Sequence, residues 1–97
     1  MEWDELCRAD PEEADIAVLL AVSVGALRRE QNLKQEELSL KANVNRVILS
    51  HIETCQGNTT LATIKKIAKA LGTTEMSLLQ YGQGFLRQKQ KQEGVKN

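Results

Sequence analysis

Residues 32 to 55 read N-L-K-Q-E-E-L-S-L-K-A-N-V-N-R-V-I-L-S-H-I-E-T-C, and the fold turns on them. The stretch predicts two short helices joined by a tight turn. The first runs from about Gln35 to Ala42, with Leu38 and Ala42 four apart on one face. Asn43 suits a left-handed backbone and so ends that helix. Asn45 suits the N-cap of the next, because its side-chain oxygen accepts an orphan backbone N–H. The second helix runs from about Arg46 to Thr54. Val44, Leu49 and Ile52 can close into one small core with Leu38 and Ala42, which points Arg46, Val47, Ser50 and His51 elsewhere.

Outside this stretch the pattern stays helical. Residues 1 to 9 predict a short helical turn in which Trp3 and Leu6 pack onto the body. Asp10 and Pro11 read as a helix start, cap followed by first helical residue, with Glu12, Glu13 and Asp15 in the first turn where the helix dipole favours anions. That helix is expected to run to about Gln31, with Ile16, Leu20, Val24 and Leu27 on one face. Leu19, Val22 and Ala26 widen its stripe enough to call for a partner, a second subunit being one candidate. Thr60 caps a helix from Leu61 to Leu71 with a core face of Leu61, Ile64, Ile67, Ala68 and Leu71, and Lys65, Lys66 and Lys69 around it. Gly72 ends it. Thr74 caps a further helix from Glu75 to about Gln80. Tyr81-Gly82-Gln83-Gly84 is expected to break that helix. Phe85 to Gln92 is then a basic extra helix, docked through Phe85 and Leu86, or a tail, and residues 94 to 97 are expected to be disordered.

The fold class is therefore all-α, a compact bundle of about five helices with an extended first helix. Residues 1–9 form an acidic segment, 10–82 the domain, and 83–97 the basic end. The 97 residues suit a single domain. No run is apolar and long enough to span a bilayer, and the acidic N-terminus does not read as a signal peptide, so a cytoplasmic protein is expected. Cys7 and Cys55 lack metal-ligand spacing and read as reduced thiols. His51 is the only histidine, which excludes a multi-His metal site or a second histidine base within one chain. No Gly-rich phosphate loop is present. The chain is expected not to be an enzyme and to need no cofactor, metal or small-molecule ligand.

The net charge of zero conceals an asymmetry. Residues 1 to 15 carry seven carboxylates against Arg8, a net of −6, so the remainder carries +6. A basic body behind an acidic segment is compatible with nucleic-acid binding, and also with charges that merely solvate surfaces.

The motif resembles the helix-turn-helix of lambda-repressor/Cro-type (Xre-family) DNA-binding domains. The resemblance rests on Gln35, Leu38, small Ser39, the turn at Asn43, Val44, Leu49 and Ile52-Glu53. It extends from about Val24 to Leu79 through Leu27-Arg28 and Ala70-Leu71-Gly72. Three positions depart from the family pattern: Asn32 replaces a usual Gly, Lys34 a usual Ser or Thr cap, and Cys55 the Gly that usually ends the recognition helix.

The resemblance implies a sequence-specific regulator of transcription on double-stranded DNA, acting as a homodimer. It implies base contacts from Arg46, Val47, Ser50 and His51, with Ile48 at the margin. Backbone contacts are expected from Gln35, Asn45, Asn58, Thr59 and Thr60. Arg28 and Glu53 match a structural salt bridge. Met76, Leu78, Leu79 and Tyr81 match the surface through which the family most often pairs. Small members of the family include phage repressors, antitoxin components and controllers of restriction-modification genes. The segment from Asn43 to Glu53 has a faint likeness to the controllers that does not by itself select them. An antitoxin or protein-interaction module of the same fold is the alternative.

Overall fold

The computed structural model describes residues 1–57 and 59–94. Gly94, expected to be disordered, is instead the last residue of the last helix. The disorder expected of residues 95–97, and any role of Asn58, fall outside the described residues. Six helices follow one another: α1 (Trp3–Leu6), α2 (Ile16–Glu30), α3 (Gln35–Ala42), α4 (Arg46–Glu53), α5 (Leu61–Ala70) and α6 (Glu75–Gly94). Among the described residues there is no strand, and the all-α expectation holds. None of the described helices is long and apolar enough to cross a membrane.

The turn chemistry of the motif is as its residues predict. Asn43 ends α3 at φ +56°, and Asn32 ends the α2 region at φ +58°. The Asn45 side-chain oxygen accepts the Val47 N–H at 2.7 Å. Thr60 Oγ1 accepts the Thr63 N–H, and Thr74 Oγ1 the Ser77 N–H. Lys34 supplies no side-chain acceptor. The cap of α3 is instead the Glu37 carboxylate, which takes the Lys34 N–H at 2.7 Å. This is the reciprocal half of a capping box.

Two apolar clusters lie on either side of α2. The first joins Leu20 and Val24 to Leu38, Leu49, Ile67 and Leu78. It is the core of the two-helix motif with α5 and the start of α6. The second joins Ala21 and Val22 to Leu6 and Leu86, with Trp3 and Phe85 packed against it. Residues 20 to 26 of α2 are consequently buried all round. The wide stripe that called for a partner is covered by α1 and the second half of α6 of the same chain.

Several expectations are corrected. The turn begun by Asp10 and Pro11 is real, since Asp10 Oδ1 accepts the N–H groups of Glu12 and Glu13. It does not propagate, because Asp15 is extended at φ −58°, ψ 153° and α2 starts anew at Ile16. Ile16 precedes the packed part of α2 and is 66% exposed. Leu61, in the first turn of α5, is 80% exposed. Both line an open apolar groove of about 280 Å³ beside Ile52 and Ile64.

The break at Gly82 and Gly84 does not occur. α6 runs unbroken for 20 residues and packs along α2 more extensively than any other pair of helices meets. Gly82 is where they touch. A Cβ there would lie 1.8 Å from Ser23 Oγ and 2.9 Å from Ser23 Cα. Gly82 thus marks a close approach rather than a helix end. Leu78, expected on a pairing surface, is fully buried in the first cluster because it faces α2 and α5.

Candidate nucleic-acid interface

α4 divides into two faces. Leu49, Ile52 and Glu53 are buried. Arg46, Val47, Ile48 and His51 are exposed, and Ser50 is half-buried. Both apolar residues of the outer face are open to solvent, Val47 at 59% and Ile48 at 44%. Arg46 makes no ion pair among the described residues, so its guanidinium keeps all its donors. Asn45 spends its side-chain oxygen on the cap and keeps its amide N–H groups. The presented set is thus a bidentate donor, a hydroxyl, an imidazole and two methyl-bearing side chains. These are chemistries that match guanine edges, mixed acceptors and thymine methyls.

Arg28 and Glu53 hold α4 against α2. Arg28 Nε donates to Glu53 Oε2 at 2.7 Å and Nη2 to Oε1 at 2.9 Å. A third donor, Nη1, reaches the Leu33 carbonyl at 2.7 Å. The guanidinium therefore pins both the α2–α3 loop and the end of α4. Both side chains are buried. The pair is the one expected from the sequence, and its geometry is the planar fork that arginine offers a carboxylate.

Gln35 opens α3 at the edge of this pair. Its amide donates to Glu53 Oε1 at 3.2 Å, which leaves one side-chain N–H free beside the orphan backbone amides of the first turn. The expected backbone contact from Gln35 thus sits on a side chain already oriented by the buried ion pair.

In the α4–α5 loop Cys55 occupies the left-handed region at φ +58°, where the family pattern has glycine, and Gly57 follows at φ +71°. Thr60 is exposed but uses its oxygen as a cap. Thr59 Oγ1 is enclosed and has no partner among the described residues, so its hydroxyl does not face solvent. Of the residues expected to pair subunits, Met76 is exposed, and Leu79 and Tyr81 are half-buried. Burial raises the Tyr81 phenol above its ordinary pKa, and the Glu30 carboxylate nearby adds to the rise.

A second part of this surface is not legible in the sequence. A polar cleft next to Gln35 is lined by Glu2, Trp3, Glu5, Arg29 and Thr54. Arg29 lies over the Trp3 ring at 3.9 Å and donates to the Gly25 carbonyl at 3.0 Å. No periodicity links residues 2 to 5 with residue 35; only the docking of α1 brings them together. Leu40 is exposed as well. Its position two residues from both Leu38 and Ala42 is the signal that could have found it, since that spacing turns it away from the core face.

Residues 24–78 match the family model described as Helix-turn-helix. Control protein C.SmaI of Serratia marcescens is 37% identical over 65 residues, 67% of this chain and 77% of that protein. A hypothetical transcription factor of Neisseria meningitidis serogroup B is 33% identical over 69 residues, 71% of this chain. The match spans 65% of that factor, just under two thirds of its length. Among solved structures, the clp gene regulator ClgR from Corynebacterium glutamicum superposes with a TM-score of 0.69 over 86% of this chain and 88% of its own. At 19% identity that likeness speaks for the fold.

Proposed function

This chain belongs to the helix-turn-helix family of DNA-binding transcription regulators, and we propose that it reads a specific DNA site as a homodimer with α4 in the major groove. The observation that carries the reading is the outer face of α4: Arg46 is free of any ion pair among the described residues, and Val47 and Ile48 stand in solvent. A solitary surface helix gains nothing from exposed Val and Ile. Against thymine methyls they acquire a role, and Arg46 can fork onto guanine O6 and N7. Ser50 and His51 complete the base-facing set. Gln35, Asn45, Asn58 and Thr60 are assigned to phosphates, which position the protein without reading sequence, without Thr59, whose hydroxyl is enclosed.

An eight-residue helix reaches only a few base pairs. Two copies reading half-sites about one helical turn apart (roughly 34 Å) gain affinity and palindromic selectivity. Met76, Leu79 and Tyr81 are the proposed pairing residues, without the buried Leu78.

Selection of bound fragments from random DNA, followed by titration across a salt series, tests the reading. A specific binder yields a recurrent site, a steep salt slope and a wide margin over random DNA. Arg46→Ala is expected to cost about 1–3 kcal/mol and relax one base position, whereas Gln35→Ala weakens all sequences about equally. A site preference untouched by Arg46→Ala refutes the docking. The same exposed Val47 and Ile48 favour a second reading, an antitoxin-like module that binds a protein through this face. Failure to enrich any DNA site, with a protein captured through α4 instead, selects it.

A further inference from the structure

We propose that the N-terminal segment is an electrostatic brake on DNA binding, with α1 holding Glu2 and Glu5 at the cleft that contains Gln35 and Trp3 occupying Arg29. The proposal rests on the reading above, in which Gln35 lies against the DNA backbone.

Four contacts fix the segment there. Leu6 is fully buried in the second cluster. The Trp3 ring meets Phe85 at a tilt, with 5.8 Å between centroids. The Arg29 guanidinium lies over the indole at 3.9 Å. The Met1 ammonium donates to the Thr54 carbonyl at 2.8 Å, just past the end of α4. The segment is thus anchored at α2, α4 and α6 together.

Its charges oppose what the neighbouring surface is assigned to bind. Glu2 and Glu5 are exposed and line the same cleft as Gln35. Neither makes an ion pair among the described residues. The third carboxylate of the cleft, Glu53, is already neutralised by Arg28. Over residues 1 to 9 the Met1 ammonium and Arg8 stand against the three carboxylates of Glu2, Asp4 and Glu5, a net of −1. Arg29, with the Met1 ammonium one of the two cations lining the cleft, has its guanidinium face against the indole and one N–H on Gly25. A phosphate approaching Gln35 therefore meets a cleft in which Glu2 and Glu5 offset the charges of Arg29 and the Met1 ammonium, and an arginine whose face is taken. This cancellation of positive charge acts over about a Debye length, roughly 8–10 Å near physiological salt. It lowers non-specific and specific affinity alike, because phosphates are common to both. A regulator with a damped electrostatic term spends less time on random DNA and depends more on base contacts.

The test compares three full-length proteins by DNA titration: wild type, Glu2→Gln/Glu5→Gln, and Glu13→Gln/Asp15→Asn. The last pair removes the same charge from the same acidic stretch but lies outside the cleft. All four residues are exposed, and thermal melts confirm that each protein is folded. With the charges of Arg29 and the Met1 ammonium no longer offset, and Coulomb interactions in water at such distances, the cleft variant is expected to bind both selected and random DNA about three- to fivefold more tightly at low salt. The gain should fade as salt rises, and the control pair should gain less. Equal gains for both pairs would show net charge without position and overturn the brake. DNA binding with no gain in the cleft variant overturns the brake alone. Absence of DNA binding by all three proteins overturns the interface reading, and the brake with it.

Discussion

Adding one methyl group at Gly82 is expected to unsettle the whole molecule, although the residue sits in a helix where alanine is intrinsically preferred. Ala exceeds Gly in a helix interior by about 0.8–1.0 kcal/mol. Against that gain stands the crossing of α6 on α2. The new Cβ would fall 1.8 Å from Ser23 Oγ, 2.8 Å from Ser23 Cβ and 2.9 Å from Ser23 Cα. Rotating the Ser23 hydroxyl away removes the first clash but breaks its 2.7 Å bond to the Leu19 carbonyl. The other two clashes involve Cβ and backbone and are relieved only by separating the helices, which opens both clusters. Overpacking of this kind costs about 1–3 kcal/mol, occasionally more. With the upper end appropriate to a backbone clash, the net loss is about 2 kcal/mol. In a domain of this size that lowers Tm by roughly 8–16 °C. Gly84 is the internal control. A Cβ there meets nothing within 4 Å, so Gly84→Ala should raise stability by up to about 1 kcal/mol. Ser23→Gly combined with Gly82→Ala should recover part of the loss, as a double-mutant cycle between touching residues requires. Calorimetry or thermal circular dichroism reads all four proteins. A Gly82→Ala protein as stable as wild type, or more so, would mean that α6 does not cross α2 at this point.

Other expectations follow from the same geometry. Glu53→Ala should cost about 3–5 kcal/mol by stranding the buried Arg28 guanidinium, measured by urea unfolding; a loss under about 1 kcal/mol would place the pair in solvent. Cys55→Asn, compatible with φ +58°, should hold or raise stability by up to about 1 kcal/mol, whereas β-branched Cys55→Val should lose more than about 1 kcal/mol. Equal melting of these two variants would contradict the left-handed loop. Burial raises the pKa of both Cys7 and Tyr81 in the fold. Groups whose folded pKa is raised stabilise fully below their unfolded pKa and lose that contribution as pH rises through the folded value. Stability should therefore fall in alkaline solution, first through the Cys7 range and then from about pH 10 upward through the Tyr81 range. Cys7→Ser and Tyr81→Phe should each flatten their part of the curve; an unchanged pH profile would refute the assignment.

What the sequence by itself determined is local. Asn43, Asn45, Thr60, Gly72 and Thr74 punctuate the helices through their own backbone and side-chain chemistry, which needs no distant partner. The spacing of Leu38, Ala42, Leu49 and Ile52 sorts the faces of α3 and α4, so the outward set from Arg46 to His51 is legible in the order of residues alone. The tertiary structure decided what depends on residues far apart in the chain. Gly82 and Gly84 carry the letters of a helix break, and only the approach of Ser23 turns Gly82 into a crossing point. Leu78 is as apolar and as free by its letters as Met76, and only the closure of α2 and α5 over it separates the two. The apolar breadth of α2 demands a cover without saying which. Leu6 and Leu86, eighty residues apart, provide it, because burial is satisfied by whichever surface the folded chain brings near, and helical periodicity records only that a face is apolar.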